Sequence, residues 1–331
     1  MITVRPAASG DLEDLSALFE QSFGHPLAPE EWTWKYRQLP GEARSLVAVD
    51  GDGGLLAHGG ALRLAARWRG GAGAIWQLVD FAGRPGRRGL RPALVELGRR
   101  LLADLPGEAE APWVFGFPSE RHFRLGEHVF GYRPLATLPQ LAGPLPRPAA
   151  AAAAAAGLWS GDSCGDWAEA VWERCGVLGV RRSAAFLNWR YWARPRRYYR
   201  FYRLVQGDEE GLAVFAFIGD VAWATELWLP PAGEWYSAML AVAADLWAAG
   251  LRAWRFWPPP AAGAAMAAAP GAGWCHGGGG PADAAGLLRR LGVHPDGEPR
   301  FVGCRGNLHA GIDPVAAAGG FYYAMGDYDL A

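Results

Sequence analysis

Apolar side chains recur along this chain with two different spacings, and each change of spacing marks a change of secondary structure. Residues 74–82 form an almost continuous apolar run, which predicts a buried strand. From Leu90 to Leu102 the apolar positions recur every three or four residues, which predicts a helix with one apolar face. The segment between them is rich in glycine and arginine, so the pattern predicts a strand, a loop and a helix in direct succession.

The same analysis along the whole chain yields two halves with similar element orders. The first half is predicted to contain helices at 12–19, 29–36, 90–102 and 120–129, and strands at 45–49, 55–66, 74–82, 113–117 and from 132. The second half is predicted to contain helices at 166–175, 183–192 and 234–249, and strands at 198–205, 212–218, 221–229 and 253–257. We interpret this repetition as a diverged duplication.

A proline-rich segment followed by an alanine run separates the two halves. Proline stiffens the chain and a low-complexity alanine run carries no packing pattern, which is typical of a junction. We therefore predict an N-terminal domain at residues 1–140, a linker at 141–157 and a C-terminal domain at 158–331. The predicted fold class is α/β (α+β), in which each domain has a mixed, mostly antiparallel sheet flanked by helices.

Composition narrows the classes of function. The chain has 331 residues, a net charge of −1, 51% hydrophobic and 20% charged residues, a balance that favours a globular protein without nucleic-acid or membrane partners. Lys35 is the only lysine, and the abundant arginine, alanine and glycine are typical of a GC-rich coding bias. No signal segment or long apolar run is visible, so we expect a cytoplasmic protein with reduced cysteines and no metal site.

The loop between the predicted strand and helix has the chemistry of an anion site. A helix N-terminus presents free N–H groups and positive potential, glycine lets a ligand approach the backbone, and arginine neutralises charge. The residues concerned are Gly86, Arg87, Arg88, Gly89 and Leu90. They predict a diphosphate site; the alternative is an ordinary turn with solvated arginines.

This loop resembles the phosphate loop of the GNAT superfamily of acyl-CoA-dependent N-acetyltransferases, whose pattern is R/Q-x-x-G-x-G/A. The corresponding residues are Gly86-Arg-Arg-Gly89-Leu-Arg91. Gly89 matches the pattern, whereas Gly86 and Arg91 depart from it.

Further segments resemble an uncharacterised bacterial tandem-GNAT family, in the expected order along the chain. They are Trp32-Thr-Trp-Lys-Tyr36, Gly116-Phe-Pro-Ser119, the tripeptide around Gly131, Phe186-Leu-Asn-Trp-Arg-Tyr191 with Pro195 and Tyr198, and Tyr323-Ala-Met-Gly-Asp-Tyr-Asp329. The resemblance implies acetyl-CoA as co-substrate and a small amine, such as an amino sugar, as acceptor. The second half lacks the glycine–arginine loop, so we expect no acyl-CoA there.

The resemblance also implies which residues form the site. The acyl-CoA arm would lie along Leu78, Val79, Phe81 and Ala82. Asp80 is the first candidate general base, because a carboxylate is unexpected at the end of an apolar strand; the alternative is a capping or ion-pairing role. His122 and Glu120 are the next candidates, although such positions are usually surface positions.

Three further residues are candidates for substrate binding: Trp34, Glu226 and Asp327. Glu226 faces either the cleft between the halves or a salt-bridge partner. Phe123 stands where related proteins often have an aromatic hydroxyl, which leaves the general acid unassigned.

The leading hypothesis is an N-acetyltransferase that works through a direct ternary complex. The first alternative is a catalytically degenerate GNAT-fold protein that binds a ligand or partner. The second alternative is a tandem-GNAT aminoacyl transferase, which the lack of basic character and of a coiled-coil insertion disfavours.

Overall fold

Two mixed β-sheets, each flanked by helices, form the fold and confirm the predicted class. The computed structural model describes residues 1–68, 71–105, 113–138, 140–147, 156–158, 163–176, 178–196, 198–230, 235–257, 287, 290–296, 300–306 and 321–322. Among the described helices, none combines the length and apolar character needed to cross a bilayer.

The N-terminal part of the chain supplies most of the first sheet. Its strands are β1 (Thr3–Pro6), β2 (Ala43–Val49), β3 (Leu55–Trp68), β4 (Gly71–Gly83), β5 (Trp113–Gly116) and β6 (Arg133–Leu138). Its helices are α1 (Leu12–Phe23), α2 (Pro29–Arg37), α3 (Leu90–Asp104) and α4 (Glu120–Phe130), which confirms the predicted order. The apolar face of α3 buries Ala93, Leu97 and Leu101 against one face of the sheet, as its spacing predicts.

The remaining elements follow in a similar order. The strands are β7 (Leu141–Pro144), β8 (Ala156–Leu158), β9 (Leu178–Val180), β10 (Tyr199–Gln206), β11 (Glu209–Ile218), β12 (Val221–Trp228), β13 (Ala253–Phe256), β14 (His294–Pro295), β15 (Arg300–Gly306) and β16 (Phe321–Tyr322). The helices are α5 (Asp166–Cys175), α6 (Ala184–Leu187), a π-helical turn (Asn188–Trp192) and α7 (Tyr236–Ala248).

The first sheet contains three strands from the second half of the chain, β9, β15 and β16, and the second sheet contains β7, which follows β6 in the chain. The first sheet has the order β1-β2-β3-β4-β5-β15-β6, so β15 lies antiparallel between β5 and β6. The second has the order β14-β7-β13-β12-β11-β10-β8, so β7 lies between β14 and β13. The two halves are therefore interlocked by an exchange of strands.

This exchange bears on the predicted domain boundaries. The predicted linker at 141–157 begins with β7 and reaches the start of β8, and both strands pair within the second sheet. Residues 148–155 lie outside the described residues. The division of the chain into domains stays a prediction, and the sheets do not follow a single cut in the sequence.

Two tryptophans join the halves by reciprocal contacts. Trp34 of α2 donates from its indole to the Trp189 carbonyl at 2.6 Å, and the Trp189 indole donates to the Trp34 carbonyl at 2.9 Å. The two rings stack with centroids 4.9 Å apart. Such mutual contact between equivalent groups is the geometry of a two-fold related pair.

Candidate functional site

A β-bulge in β4 positions the first candidate residue. Val79 pairs with Gly60 and Ala82 pairs with His58, so two residues of β4, Asp80 and Phe81, lie opposite one residue of β3. Asp80 adopts a left-handed backbone conformation with φ of +56°. Bulges of this kind redirect side chains and are frequent beside functional sites.

The bulge places three consecutive side chains differently from regular alternation. Val79 and Ala82 pack with the core under α1 and α2, while Phe81 packs with the core under α3. Asp80 also turns towards α2, where a regular strand would have placed it on the α3 side. The Asp80 carboxylate therefore lies on the face of the sheet that α2 covers.

Two α2 side chains hold this carboxylate. Lys35 Nζ lies 3.0 Å from both Asp80 oxygens, and the Tyr36 hydroxyl donates to Asp80 Oδ2 at 2.6 Å. The side chains of Lys35 and Asp80 are only 7% and 9% exposed. The sequence left a general-base role and a capping or ion-pairing role open for Asp80. The structure shows an ion pair, with Lys35 as the cation. We call Lys35, Tyr36 and Asp80 the Asp80 cluster.

A buried histidine fixes the backbone of the bulge. His58 Nδ1 lies 2.9 Å from the Asp80 carbonyl oxygen, and its Nε2 lies 2.9 Å from Ser45 Oγ, which also accepts from the Trp32 indole at 3.2 Å. The carbonyl can only accept, so Nδ1 carries the proton and Nε2 accepts from Ser45. Burial lowers the pKa of His58 and favours this neutral form.

Beyond the bulge, β4 and β5 separate. Their parallel pairing ends at Leu78 and Gly116, while β4 continues to Gly83. Of the β4 residues predicted to lie along an acyl-CoA arm, Val79, Phe81 and Ala82 are therefore on the stretch that has no partner in β5, whereas Leu78 pairs with Gly116. Backbone N–H and C=O groups on such an unpaired edge can pair with an extended ligand.

The chain then enters the glycine–arginine loop (residues 84–89). Gly86 and Gly89 have φ of +74° and +87°, a conformation that favours glycine, and Gly89 directly precedes α3. Within the described residues, the backbone N–H groups of Arg88, Gly89 and Arg91 have no hydrogen-bond acceptor. They are the orphan donors of a helix N-terminus, and an anion can accept from them.

Arginines predominate at this end of α3, although Asp50 Oδ2 lies 4.0 Å from Arg87 Nη2. Arg87, Arg88 and Arg91 are exposed, and the first turn contains no acidic residue. The Leu90 N–H differs from its neighbours, because it donates to the Arg87 carbonyl at 3.3 Å, and the Leu90 side chain packs against Gly83. The loop, without the Leu90 N–H, has the donors and the charge of a diphosphate site.

The two candidates on α4 differ in burial. Glu120 is exposed in the first turn and pairs with Arg124 at 2.5 Å. The His122 ring packs against Phe81, with centroids 4.8 Å apart, and burial lowers its pKa to about 4. His122 is therefore neutral at pH 7 and lies next to the bulge, whereas Glu120 points into solvent.

Of the residues predicted to bind substrate, the two that the structure describes are buried. Trp34 is buried in the contact with Trp189, and Glu226 is buried in an ion pair with Arg182 at 3.0 Å. Both side chains find their partners within the protein interior, and for Glu226 this is the salt bridge that the sequence left open beside the cleft. Asp327 lies outside the described residues.

Sequence reasoning assigned no role to Lys35, Tyr36 or His58. A signal was present for one of them, because a single lysine among many arginines is unusual. No local pattern marks Tyr36 or His58, since their contacts depend on how α2 and β3 pack against the bulge.

A protein-family model matches the part of the chain that contains this loop and the bulge. Residues 3–134 match the model of the acetyltransferase (GNAT) domain. The N-terminal part of the chain is therefore similar to a GNAT domain over these residues, which include the strand–loop–helix motif. No curated protein sequence matches it.

Solved structures share the fold across most of the chain. A GCN5-related N-acetyltransferase from Anabaena variabilis is similar at a TM-score of 0.62 and 14% identity, covering 92% of this chain and 72% of that one. A probable N-acyltransferase from Enterococcus faecalis is similar at 0.59 and 14%, with coverage of 92% and 72%. The N-myristoyltransferase of Saccharomyces cerevisiae with bound myristoyl-CoA is similar at 0.59 and 9%, with coverage of 92% and 82%.

Proposed function

We propose that this protein is an acyl-CoA-dependent N-acyltransferase, with acetyl-CoA as the acyl donor and a small amine, such as an amino sugar, as acceptor. The observation that carries the proposal is the continuous path from the bulged, unpaired end of β4 to the orphan N–H groups at the start of α3. A ligand that is extended at one end and a diphosphate at the other fits this path, and CoA thioesters have that form.

The proposal assigns a task to each part of the path. The N–H groups of Arg88, Gly89 and Arg91, with the arginine side chains, would bind the diphosphate. Backbone groups of Val79 to Ala82 would bind the pantetheine arm. Alignment of amine and thioester can itself lower the barrier by roughly 7–11 kcal/mol, so the reaction needs few dedicated side chains.

Asp80 is the candidate that would take the proton of the acceptor amine, because it is the carboxylate in contact with the bulge. His122, neutral and packed on Phe81, is the second candidate. The fold shared with N-myristoyltransferase, a protein with bound myristoyl-CoA, supports acyl-CoA as the ligand class.

Calorimetric titration with acetyl-CoA and with CoA tests the proposal. We expect micromolar binding at one site per chain for the wild type and much weaker binding for Gly89→Val. A valine at φ of +87° strains the loop by about 1–3 kcal/mol, although its Cβ meets no atom within 4 Å.

A matched control separates strain from loss of the site. Gly24 ends α1 with φ of +83° and also has open space around a Cβ. Gly24→Val should therefore cost similar stability and keep the affinity for acetyl-CoA. Equal affinities in the two variants would refute the assignment of the loop.

Charge gives a second, independent test. Arg88→Glu reverses a charge beside the orphan N–H groups, while Arg99→Glu makes the same change on an exposed position further along α3. We expect the first variant to lose affinity for acetyl-CoA and to bind with a weaker dependence on salt, because screening acts on such surface charges. The second variant should bind like the wild type.

Ligand binding without turnover is the second candidate function. It is favoured by the observation that Lys35 and Tyr36 already occupy much of the Asp80 carboxylate. Release of free thiol from acetyl-CoA in the presence of a panel of amino sugars and other amines distinguishes the two functions. Binding without amine-dependent thiol release would favour the second.

A further inference from the structure

The two halves carry the same tripeptide pattern at equivalent places. Trp34-Lys35-Tyr36 lies on α2, and Trp189-Arg190-Tyr191 lies in the π-helical turn that follows α6. The reciprocal hydrogen bonds between Trp34 and Trp189 show that the two segments meet as equivalent partners. The residues that follow each tryptophan can therefore be compared position by position.

The tyrosines of both tripeptides donate to a carboxylate at a β-bulge. Tyr36 donates to Asp80 at 2.6 Å, and Tyr191 donates to Glu226 at 2.6 Å. Glu226 lies in β12 at the point where its pairing with β11 shifts register, as Asp80 does in β4. The duplication thus preserved a tyrosine–carboxylate pair at both bulges.

The second pair, Tyr191 and Glu226, is enclosed by the protein, and we call it the sealed pair. Glu226 also accepts from Arg182 at 3.0 and 3.1 Å and from the Trp228 indole at 2.7 Å. With Tyr191 this makes four contacts from three donor groups, and the Glu226 side chain has no exposed surface. Burial and the carboxylate raise the pKa of Tyr191 well above its ordinary value.

By comparison, the hydrogen bonding of the carboxylate in the Tyr36–Asp80 pair is incomplete. Asp80 accepts three side-chain hydrogen bonds, two from Lys35 and one from Tyr36, and Oδ1 accepts only one of them. One lone-pair position of Oδ1 is thus open, and the side chain keeps 9% of its surface exposed. A donor that approaches from the unpaired end of β4 can use it.

The cation also differs. The sealed carboxylate is paired with Arg182, which keeps its proton and reaches both Glu226 oxygens from Nε. The Asp80 carboxylate is paired with the only lysine of the chain, whose ammonium is a compact charge. A compact partner neutralises Asp80 and leaves room beside it.

We propose that Lys35 and Tyr36 are positioning residues that hold Asp80 as a carboxylate with one lone pair open to the acceptor amine. This rests on the acyl transfer proposed above. The protonated amine gives one proton to Asp80, and its nitrogen then forms the C–N bond to the thioester carbon. The C–S bond breaks, the thiolate takes the second proton from nitrogen, and Asp80 returns its proton to solvent.

Within the part of the chain that the structure describes, few other ionisable groups face this carboxylate. His58 on β3 contacts the Asp80 carbonyl and stays neutral, and α1 contributes the Phe19 ring against His58. Within the described residues, no further charged side chain contacts the Asp80 carboxylate. A shift in the pH dependence of the reaction therefore reports on Lys35 and Tyr36.

The single lysine allows a direct measurement. Labelling with [ε-13C]lysine places one NMR reporter, at Lys35. We expect this signal to titrate at lower pH in Asp80→Asn than in the wild type, by about one unit or more, because the ammonium loses its counter-charge. Tyr191→Phe, the matched change in the sealed pair, should titrate like the wild type. A Lys35 signal that does not respond to Asp80→Asn overturns the proposal.

The pH–rate profile supplies the functional readout, with acetyl-CoA and glucosamine as probes. Lys35→Met should move the acid limb of kcat/KM to higher pH by about one to three units, since a carboxylate without its cation takes up a proton more easily. Lys35→Arg should bring the limb back towards the wild type, and Tyr191→Phe should leave it in place. Profiles of wild-type shape in Lys35→Met overturn the proposal.

The outcomes separate this proposal from the function on which it rests. Absence of acetyl-CoA binding by calorimetry removes both. Binding and turnover with an unshifted acid limb removes only the role of Lys35 and Tyr36. Where acetyl-CoA binds but glucosamine is not acylated, the NMR titration alone decides.

Discussion

Tyr36 reaches Asp80 across Gly60 of β3, and this close approach makes Gly60 a sensitive position. A Cβ added at Gly60 would lie 2.2 Å from the Tyr36 hydroxyl oxygen and 2.8 Å from two ring carbons. Tyr36 is buried against Trp32 and His58, so its ring has little room to move. Gly60→Ala should therefore displace the hydroxyl from Asp80.

The size of the effect follows from three contributions. Overpacking costs about 1–3 kcal/mol, and a lost hydrogen bond to a charged group costs about 1.5–3 kcal/mol. Replacing glycine by alanine within a strand returns about 0.5–1 kcal/mol. We expect a net loss of about 2–5 kcal/mol in the free energy of unfolding.

Urea unfolding followed by circular dichroism measures this loss, and Gly10→Ala, where a Cβ meets no atom within 4 Å, is the control. In the variant Gly60→Ala/Tyr36→Phe the closest contact is absent. Its loss of stability should be smaller than the sum of the two single losses, with a coupling of about 0.5–3 kcal/mol. A Gly60→Ala protein within 0.5 kcal/mol of the wild type, or strictly additive losses, would refute this account of the packing.

Three further predictions concern other parts of the molecule. Burial lowers the pKa of His122 from about 6.5 in the unfolded chain to about 4 in the folded protein. Its contribution to the free energy of unfolding is therefore fully present above pH 6.5, and up to about 3 kcal/mol is lost as the pH falls towards 4. Urea unfolding of His122→Phe should show a smaller loss over this pH range, whereas the control His128→Phe should show the same loss as the wild type. Trp34→Ala removes a buried ring and the hydrogen bond that its indole donates to the Trp189 carbonyl, so it should cost about 3–5 kcal/mol by the same measurement, and an unchanged midpoint would contradict the interlocking role. A chain cut after residue 296 lacks β15 and leaves β5 and β6 without their common neighbour, so size-exclusion chromatography should show aggregation rather than a monodisperse species.

The apolar spacing of the sequence predicted most helices and strands. Helix α5 was predicted with its observed ends, and α3 with its buried face, because a 3.6-residue period specifies which side chains lie together without reference to distant contacts. The glycine–arginine loop was also visible locally, since positive φ at Gly89 and the start of a helix are properties of a few adjacent residues.

Only part of the candidate site could be predicted from the sequence. Asp80 stood out as a carboxylate in an apolar run, but its partner Lys35 is 45 positions away and was attributed to the chain's composition. The exchange of β7 and β15 was not predicted, because each strand pairs with segments far away in sequence. For Glu226 the choice between a cleft and a salt bridge stayed open, because the sequence does not show that Arg182 faces it.

The sequence by itself determined the local elements and the succession of strand, glycine–arginine loop and helix at residues 71–104. The tertiary structure decided which ionisable groups meet: it joined Lys35 and Tyr36 to Asp80, sealed Glu226 with Arg182 and buried Trp34 against Trp189. Helix and strand patterns arise from neighbours within a few residues, whereas ion pairs at a bulge depend on the register of β3 with β4 and on the seating of α2, which the whole core specifies.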